Sequence, residues 1–264
     1  MIKPANIPET IVHTEAVKIV QEMADLSLLL RQPVQIIGRP GTGKSTALWH
    51  VAKAMGGNYC EISQASKTPK GMFELLIKTA GRWGYHSQRL AISTLADEVY
   101  SYYEQRQLVA DDGSWSSAPR LLVVDEVQTL EAPAFRELLR VQEKCEMGLL
   151  VAGNAERLAG TRKNDAATWE QVESRILAAR YLPGPSKADC ESIGSAHNVE
   201  GSDAYDLLVR FGMSTNFRAL TQLLDFAARL TAGNVGIRRV HLENAIHITS
   251  PKTNLQKLLS SEAA

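Results

Sequence analysis

Cysteine is scarce in this chain of 264 residues, which holds only Cys60, Cys145 and Cys190. They are odd in number, far apart and free of any Cys-x-x-Cys or histidine partner pattern, which excludes a disulfide framework and a zinc site as organising devices. Long apolar runs are missing too. No segment approaches the ~20 apolar residues of a membrane-spanning helix, and Met1 to Asn6 carries no basic stretch leading into an apolar one. The expectation is a cytoplasmic protein with no membrane partner. Neither sign of charge is in excess, with 29 Lys and Arg against 29 Asp and Glu. A polyanionic partner would therefore have to be met by a local patch and not by a global field. Internal repeats and low-complexity tracts are absent. The length suffices for one α/β domain with a smaller helical appendage.

What is present begins with Gly38-Arg39-Pro40-Gly41-Thr42-Gly43-Lys44-Ser45-Thr46. Ahead of it, Val34 to Ile37 reads as a short buried strand. Behind it, Ala47, Leu48, Val51, Ala52 and Met55 recur at one-face helical spacing, and Gly56-Gly57 supplies the stop. Strand, glycine-rich turn and helix in this order make a phosphate-binding loop. Its backbone N–H groups close around the β- and γ-phosphates at a helix N-terminus, Lys44 reaches them as a point charge, and Ser45 is placed to ligate Mg²⁺. A plain glycine turn before a helix has no need of the Lys-Ser pair.

The second signal is Leu121-Leu122-Val123-Val124-Asp125-Glu126, an apolar run ending in two carboxylates. A central parallel strand looks like this when it delivers acids at its C-terminal end. Asp125 would join the Mg²⁺ shell, and Glu126 would polarise the attacking water. Leu149 to Asn154 is another buried strand. The amide of Asn154 at its tip would orient the water or touch the γ-phosphate, although Asn after Gly is also a common turn residue.

Between and around these lie further elements. Helices are expected from Thr14 to about Arg31, Gly71 to Gly81, Leu90 to Val109, around Phe135 to Val141, and Trp169 to Ala179. Asn58 to Ile62 and Tyr181-Leu182 read as short strands, and Asp111 to Ser117 as a surface loop. Leu182-Pro183-Gly184-Pro185 breaks any regular element, and Ser186 with Asp189 opens a helix as a capping box. Beyond it only helices are expected: Ala204 to Phe211, one beginning near Asn216, and Arg238 to His247. The domain reading is an N-terminal helix and linker over 1–33, an α/β core over 34–183, a helical lid over 184–250 and a tail over 251–264.

With these pieces in order, the chain resembles the AAA+ ATPases over nearly its whole length. Gly38 to Thr46 matches Walker A, Leu121 to Glu126 matches Walker B, Asn154 matches sensor 1, and the C-terminal helices match the lid. Arg218, within Ser214 to Leu220, matches sensor 2. Within that family the chain is similar to the transposition-regulator group, the target-selecting ATPases of transposable phages and bacterial transposons. That likeness is carried by Thr14 to Lys18, Gly38 to Ser45, Leu121 to Leu130, Leu138 to Glu143, Gly148 to Asn154, Ser174-Arg175-Ile176 and the Ala219-Leu220 region. A phage representative of the group carries an N-terminal helix-turn-helix-type appendage, whereas here the AAA+ module starts almost at residue 1.

The resemblance implies a fold: a P-loop parallel sheet with flanking helices and a small all-helical C-terminal lid. It also implies an ATPase with ATP and Mg²⁺ as cofactors. Such a protein polymerises as a homo-oligomer on double-stranded DNA, recruits and stimulates a transposase, and dissolves on hydrolysis. Its active site is shared between subunits, so a neighbour's cation must meet the γ-phosphate. Arg175 is the expected finger, with Arg180 in reserve, and Arg218 would contact the nucleotide. Lys67, Lys70, Arg82, His86 and Arg89 are the residues expected to face DNA backbone. Three other readings stay open: another DNA-associated ATPase such as a helicase loader, a protein-directed nucleotide switch, and a nucleotide-gated scaffold with little turnover. A polypeptide-threading ATPase is disfavoured, because the polar and basic stretch Ser63 to Lys70 holds no aromatic-hydrophobic-glycine triplet.

Overall fold

The computed structural model describes residues 7, 11–81, 90–104, 108–109, 115–116, 120–154, 166–231 and 236–249. Its elements follow in chain order as α1 (Glu15–Leu30), β1 (Pro33–Ile37), α2 (Lys44–Ala54), β2 (Asn58–Glu61), α3 (Pro69–Thr79), α4 (Ile92–Glu104), β3 (Leu108–Val109), β4 (Trp115–Ser116), β5 (Leu121–Asp125), α5 (Ala132–Cys145), β6 (Gly148–Gly153), α6 (Ala166–Glu173), β7 (Ala178–Tyr181), α7 (Lys187–Ala196), α8 (Ser202–Ser214), α9 (Phe217–Leu230) and α10 (Arg239–Thr249). Among the described residues no helix is long and apolar enough to cross a membrane.

Strands β2, β5, β6, β1 and β7 form one sheet in that order, and every pairing in it is parallel. Strands β1, β5 and β6 are buried along their whole length, which is why they read as near-continuous apolar runs and not as alternating ones. Leu122 and Val124 of β5 and Leu149 and Val151 of β6 pack into one cluster with α3, α4 and α5. Helix α2 lies against β5 and β2. Helix α1 is tied to β6 through Ser27, whose hydroxyl accepts from Leu149 N at 2.8 Å and donates to Gln32 O at 2.7 Å. The expected P-loop α/β architecture is therefore present.

The chain divides into two compact units. One comprises Met1–Ile7, Ile19–Arg39 and Lys44–Tyr181, and holds the sheet. The other comprises Pro8–Lys18, Pro40–Gly43 and Leu182–Ala264. Its core is made by Leu207, Leu208, Phe211, Leu220, Leu224 and Ile246, all buried among α7 to α10. The expected capping box forms: Ser186 Oγ accepts from Asp189 N at 3.1 Å, and the Asp189 carboxylate accepts from Ser186 N at 2.9 Å. Asn216 caps α9 by accepting from Ala219 N at 2.9 Å. A β-carbon on Gly212 would lie 2.4 Å from Cys190 Sγ, so only glycine lets α8 approach α7 this closely.

Three local expectations are corrected. The helix expected over Leu90 to Val109 stops at Glu104, and Leu108–Val109 instead pairs antiparallel with Trp115–Ser116, inside the stretch read as loop. The helix expected over Trp169 to Ala179 stops at Glu173. Leu177 N donates to Pro33 O at 2.8 Å and delivers Ala178–Tyr181 to the edge of β1 as a strand. Alanine is the strongest helix former, but two residues' propensity amounts to a small free energy that pairing with the edge of β1 overrides. The C-terminal region is not purely helical either, since Val199 and Ile237 form an isolated parallel bridge.

Candidate functional site

In open parallel sheets, ligands sit beyond the carboxyl ends of the strands, and the residues singled out from the sequence lie there. Ile37 ends β1, Asp125 ends β5 and Asn154 follows β6. The loop after β1 is anchored to β6 by Gly38 N, which donates to Gly153 O at 3.2 Å. Gly41 and Gly43 take φ of +84° and +76°, a left-handed backbone that side chains with a β-carbon resist. Within the second unit, Gly41 O accepts from Arg218 N at 3.3 Å, and a β-carbon on Gly41 would meet Asn216 Oδ1 at 2.6 Å. Thr42 is buried, Thr46 half-buried and Pro40 exposed.

Lys44 and Ser45 open α2 on the carboxylates of β5. Ser45 Oγ donates to Asp125 Oδ2 at 2.5 Å, and Glu126 N donates to Asp125 Oδ1 at 2.8 Å. Lys44 is almost buried, with Nζ 3.8 Å from Glu126 Oε1. Asp125 is fully buried. That burial pushes its carboxyl above the ordinary carboxylate range, and the pull of Lys44, Ser45 and the Glu126 N–H offsets the push only in part. Glu61, at the end of β2, is raised in the same direction by burial and by the charges of Asp125 and Glu126. The cluster thus holds more negative charge than its own cation balances. A hydroxyl and a carboxylate side by side form the oxygen donor set that a hard divalent cation takes when substrate phosphates and waters supply its remaining ligands.

Glu126 itself adopts φ 57° and ψ 34°, a left-handed conformation that costs of order 1 kcal/mol or more in a non-glycine residue. The strain turns the chain into the short 3₁₀ segment Val127–Thr129. That segment carries Gln128, whose Nε2 donates to Glu126 Oε2 and whose Oε1 accepts from Asn154 N at 3.2 Å.

Two of these participants were missed in the sequence. Gln128 gives no periodic or motif signal, and its position two residues past the acidic pair was the only available hint. Tyr59 on β2 was passed over as a strand residue. Its hydroxyl donates to Asp125 Oδ2 at 3.4 Å, and burial together with Asp125 raises its pKa strongly. Its neighbour Cys60 is pushed up to about 12 by burial, with Asp125 adding to the effect. Cys60, Cys145 and Cys190 are all free and buried.

The remaining candidates lie elsewhere. Arg175 is exposed in the turn after α6, with its guanidinium 3.7 Å from Glu143 of α5. Arg180 is exposed on edge strand β7, opposite Ile36. Arg218 is exposed near the start of α9. Of the five DNA candidates, Lys67 pairs with Glu131 at 3.4 Å and Lys70 with Glu74 at 3.9 Å. Glu131 is remote from Lys67 in sequence, and folding brings them together through Glu131 N donating to Lys67 O at 3.0 Å. Arg82, His86 and Arg89 lie outside the described residues.

Comparison with known proteins agrees with this geometry. Residues 30–159 match the family described as AAA domain. The chain is 24% identical over 238 residues to the ATP-dependent target DNA activator B of Escherichia phage Mu, covering 89% of this chain and 72% of the phage protein. The protein of the same name from Escherichia phage D108 matches with the same figures. The replication factor C large subunit of Methanocella arvoryzae is 22% identical over 156 residues, covering 57% of this chain and 28% of that protein. Among solved structures, the Aeropyrum pernix ORC2 protein in ADPNP-ADP complexes superposes with a TM-score of 0.69 at 15% identity, covering 99% of this chain and 74% of that one.

Proposed function

We propose that this chain, whose residues 30–159 match the AAA domain family, is an AAA+ ATPase that uses ATP to gate its own assembly on double-stranded DNA and so regulates transposition. The observation that carries the DNA reading is the similarity across 89% of the chain to a protein named as an ATP-dependent target DNA activator. The chemistry is carried by the packing of Lys44, Ser45, Asp125 and Glu126 into one cluster.

In this reading the N–H groups from Gly41 to Lys44 hold the β- and γ-phosphates, and Lys44 neutralises them. Ser45 and Asp125 hold Mg²⁺, which when bound screens the charge that builds on the phosphate oxygens. Glu126 orients the attacking water and takes its proton, while the Asn154 amide orients that water or touches the γ-phosphate. As water adds to the γ-phosphorus, its bond to the β–γ bridging oxygen breaks and ADP leaves with that electron pair; Arg175 of a neighbouring copy meets the charge building on the leaving and γ oxygens. Hydrolysis thereby depends on assembly. Arg218 senses the nucleotide. Lys67, Lys70, Arg82, His86 and Arg89 contact DNA phosphates without reading bases, so binding is indifferent to sequence and sensitive to salt. The assembled form recruits the transposase, and hydrolysis returns the protein to its free state.

The test is binding to a random-sequence duplex with ATP, with ADP and without nucleotide, across a salt series, with electron microscopy of the ATP sample. Binding that requires ATP, weakens steeply with salt and accompanies assemblies along the duplex supports the proposal. Binding that ignores the nucleotide, or no binding in any state, refutes it in favour of a protein-directed switch.

A further inference from the structure

Glu126 has three rotatable side-chain bonds, is partly exposed, and lies 3.8 Å from the ammonium of Lys44. A carboxylate so placed is drawn onto the lysine, which would withdraw both groups from a phosphate and its attacking water. A directional contact opposes that collapse. The Gln128 carboxamide, itself 5% exposed, gives its N–H to Glu126 Oε2 and its oxygen to the backbone N–H of Asn154. With both ends engaged the amide has one orientation, and it holds Oε2 while Oε1 is the oxygen paired with Lys44. The other end of the bridge is equally fixed, because Gly153, next to Asn154, accepts from Gly38 N at the start of the phosphate loop.

From this we infer that Gln128 is a positioning residue for hydrolysis, which aims the Glu126 carboxylate and couples that aim to the tip of β6. Its effect passes through Glu126, so the inference rests on Glu126 being the group that activates water. A shift of the Asn154 backbone when the γ-phosphate is engaged is passed through two hydrogen bonds to Glu126, so the residue that activates water is aligned by the strand tip expected to meet the phosphate.

The test compares Gln128→Met, which removes both bonds at similar volume, with Gln128→Glu, which keeps an acceptor for Asn154 N but sets a second carboxylate against Glu126. Glu126→Gln and the double variant Glu126→Gln/Gln128→Met complete the set. For each, kcat, KM, affinity for a fluorescent ATP analogue, and Tm are measured. Both single Gln128 variants are expected to lose about 10- to 100-fold in kcat, the scale of a misplaced reacting group, with KM and nucleotide affinity within about twofold. The double variant is expected to be no slower than Glu126→Gln alone. Wild-type kcat in Gln128→Glu would mean that Gln128 only anchors β6, and wild-type kcat in Gln128→Met would remove it from catalysis; either overturns the inference while Glu126 keeps its role. Normal turnover in Glu126→Gln would overturn the role of Glu126 and the inference with it. If Gln128→Met does not fold, Gln128→Glu decides.

Discussion

Asp125→Asn should stabilise the nucleotide-free protein while destroying its activity. The carboxyl is wholly buried, and its three hydrogen bonds, from Ser45 Oγ, Tyr59 OH and Glu126 N, survive in number in an amide because the two hydroxyls can turn to accept. What changes is the charge. Burial raises the pKa of Asp125 more than Lys44 and the hydrogen bonds lower it, so wherever this carboxyl is ionised the folded protein holds its charge at a cost that a neutral amide does not carry. Relief of such strain at functional sites is worth about 1 kcal/mol, or about 2–4 °C in Tm for a chain of this size. The sign follows from linkage. A carboxyl whose folded pKa is raised lends stability below its unfolded pKa and loses it as pH rises through the folded value. The variant's advantage should therefore be larger at pH 7.5 than at pH 4 and shrink steadily as pH falls between them, with other titrating groups cancelling in the comparison. The assay is thermal unfolding of both proteins in EDTA across that range. Adding Mg²⁺ and ATP should narrow or reverse the difference, because the wild type keeps the Asp125 carboxylate for the cation and gains more from ligand. A variant that melts 2 °C or more below wild type at pH 7.5 without nucleotide would show that the Lys44 attraction outweighs burial, and would refute the reasoning.

Lys44→Ala should abolish nucleotide binding, read by a fluorescent ATP analogue; normal affinity would remove the phosphate-loop assignment. Arg175→Ala should leave nucleotide affinity unchanged and cut turnover of the DNA-assembled form by about 10³-fold or more, whereas unchanged turnover would pass the role to Arg180. Asp189→Ala removes acceptors for Glu15 N at 2.9 Å, Ser186 N at 2.9 Å and Ser186 Oγ at 2.7 Å. It should cost about 2–3 kcal/mol in urea unfolding, and a loss under about 0.5 kcal/mol would show that these bonds do not hold the N-terminus of α1.

The features read from the sequence are those whose causes are contiguous. The phosphate loop needs glycine at Gly41 and Gly43 for its own backbone. The capping box closes between Ser186 and Asp189, three residues apart, and Asn216 caps the turn that follows it. Buried parallel strands announce themselves as apolar runs, so β1, β5 and β6 were legible. Of the edge strand β7 only Tyr181 was, in the short strand expected at Tyr181-Leu182, because Ala178 and Ala179 carry no pattern and become a strand only through pairing with Val34 and Gln35. The hairpin of Leu108–Val109 with Trp115–Ser116 was hidden in the same way, by a helical pattern that ran on past Glu104.

The candidate site divides along the same line. Sequence alone determined which residues carry phosphate and cation chemistry, since a phosphate loop and an acid-tipped strand are local patterns of residue type. Tertiary structure alone decided what surrounds them: Tyr59 against Asp125, Gln128 between Glu126 and Asn154, Glu131 beside Lys67, and Glu143 beside Arg175. Each of these contacts depends on the side chains' placement in space, and all but the Gln128–Glu126 bond join residues distant in sequence. Burial has the same origin. The charge of Asp125 becomes costly only once β2, β5 and α2 have closed around it and excluded water.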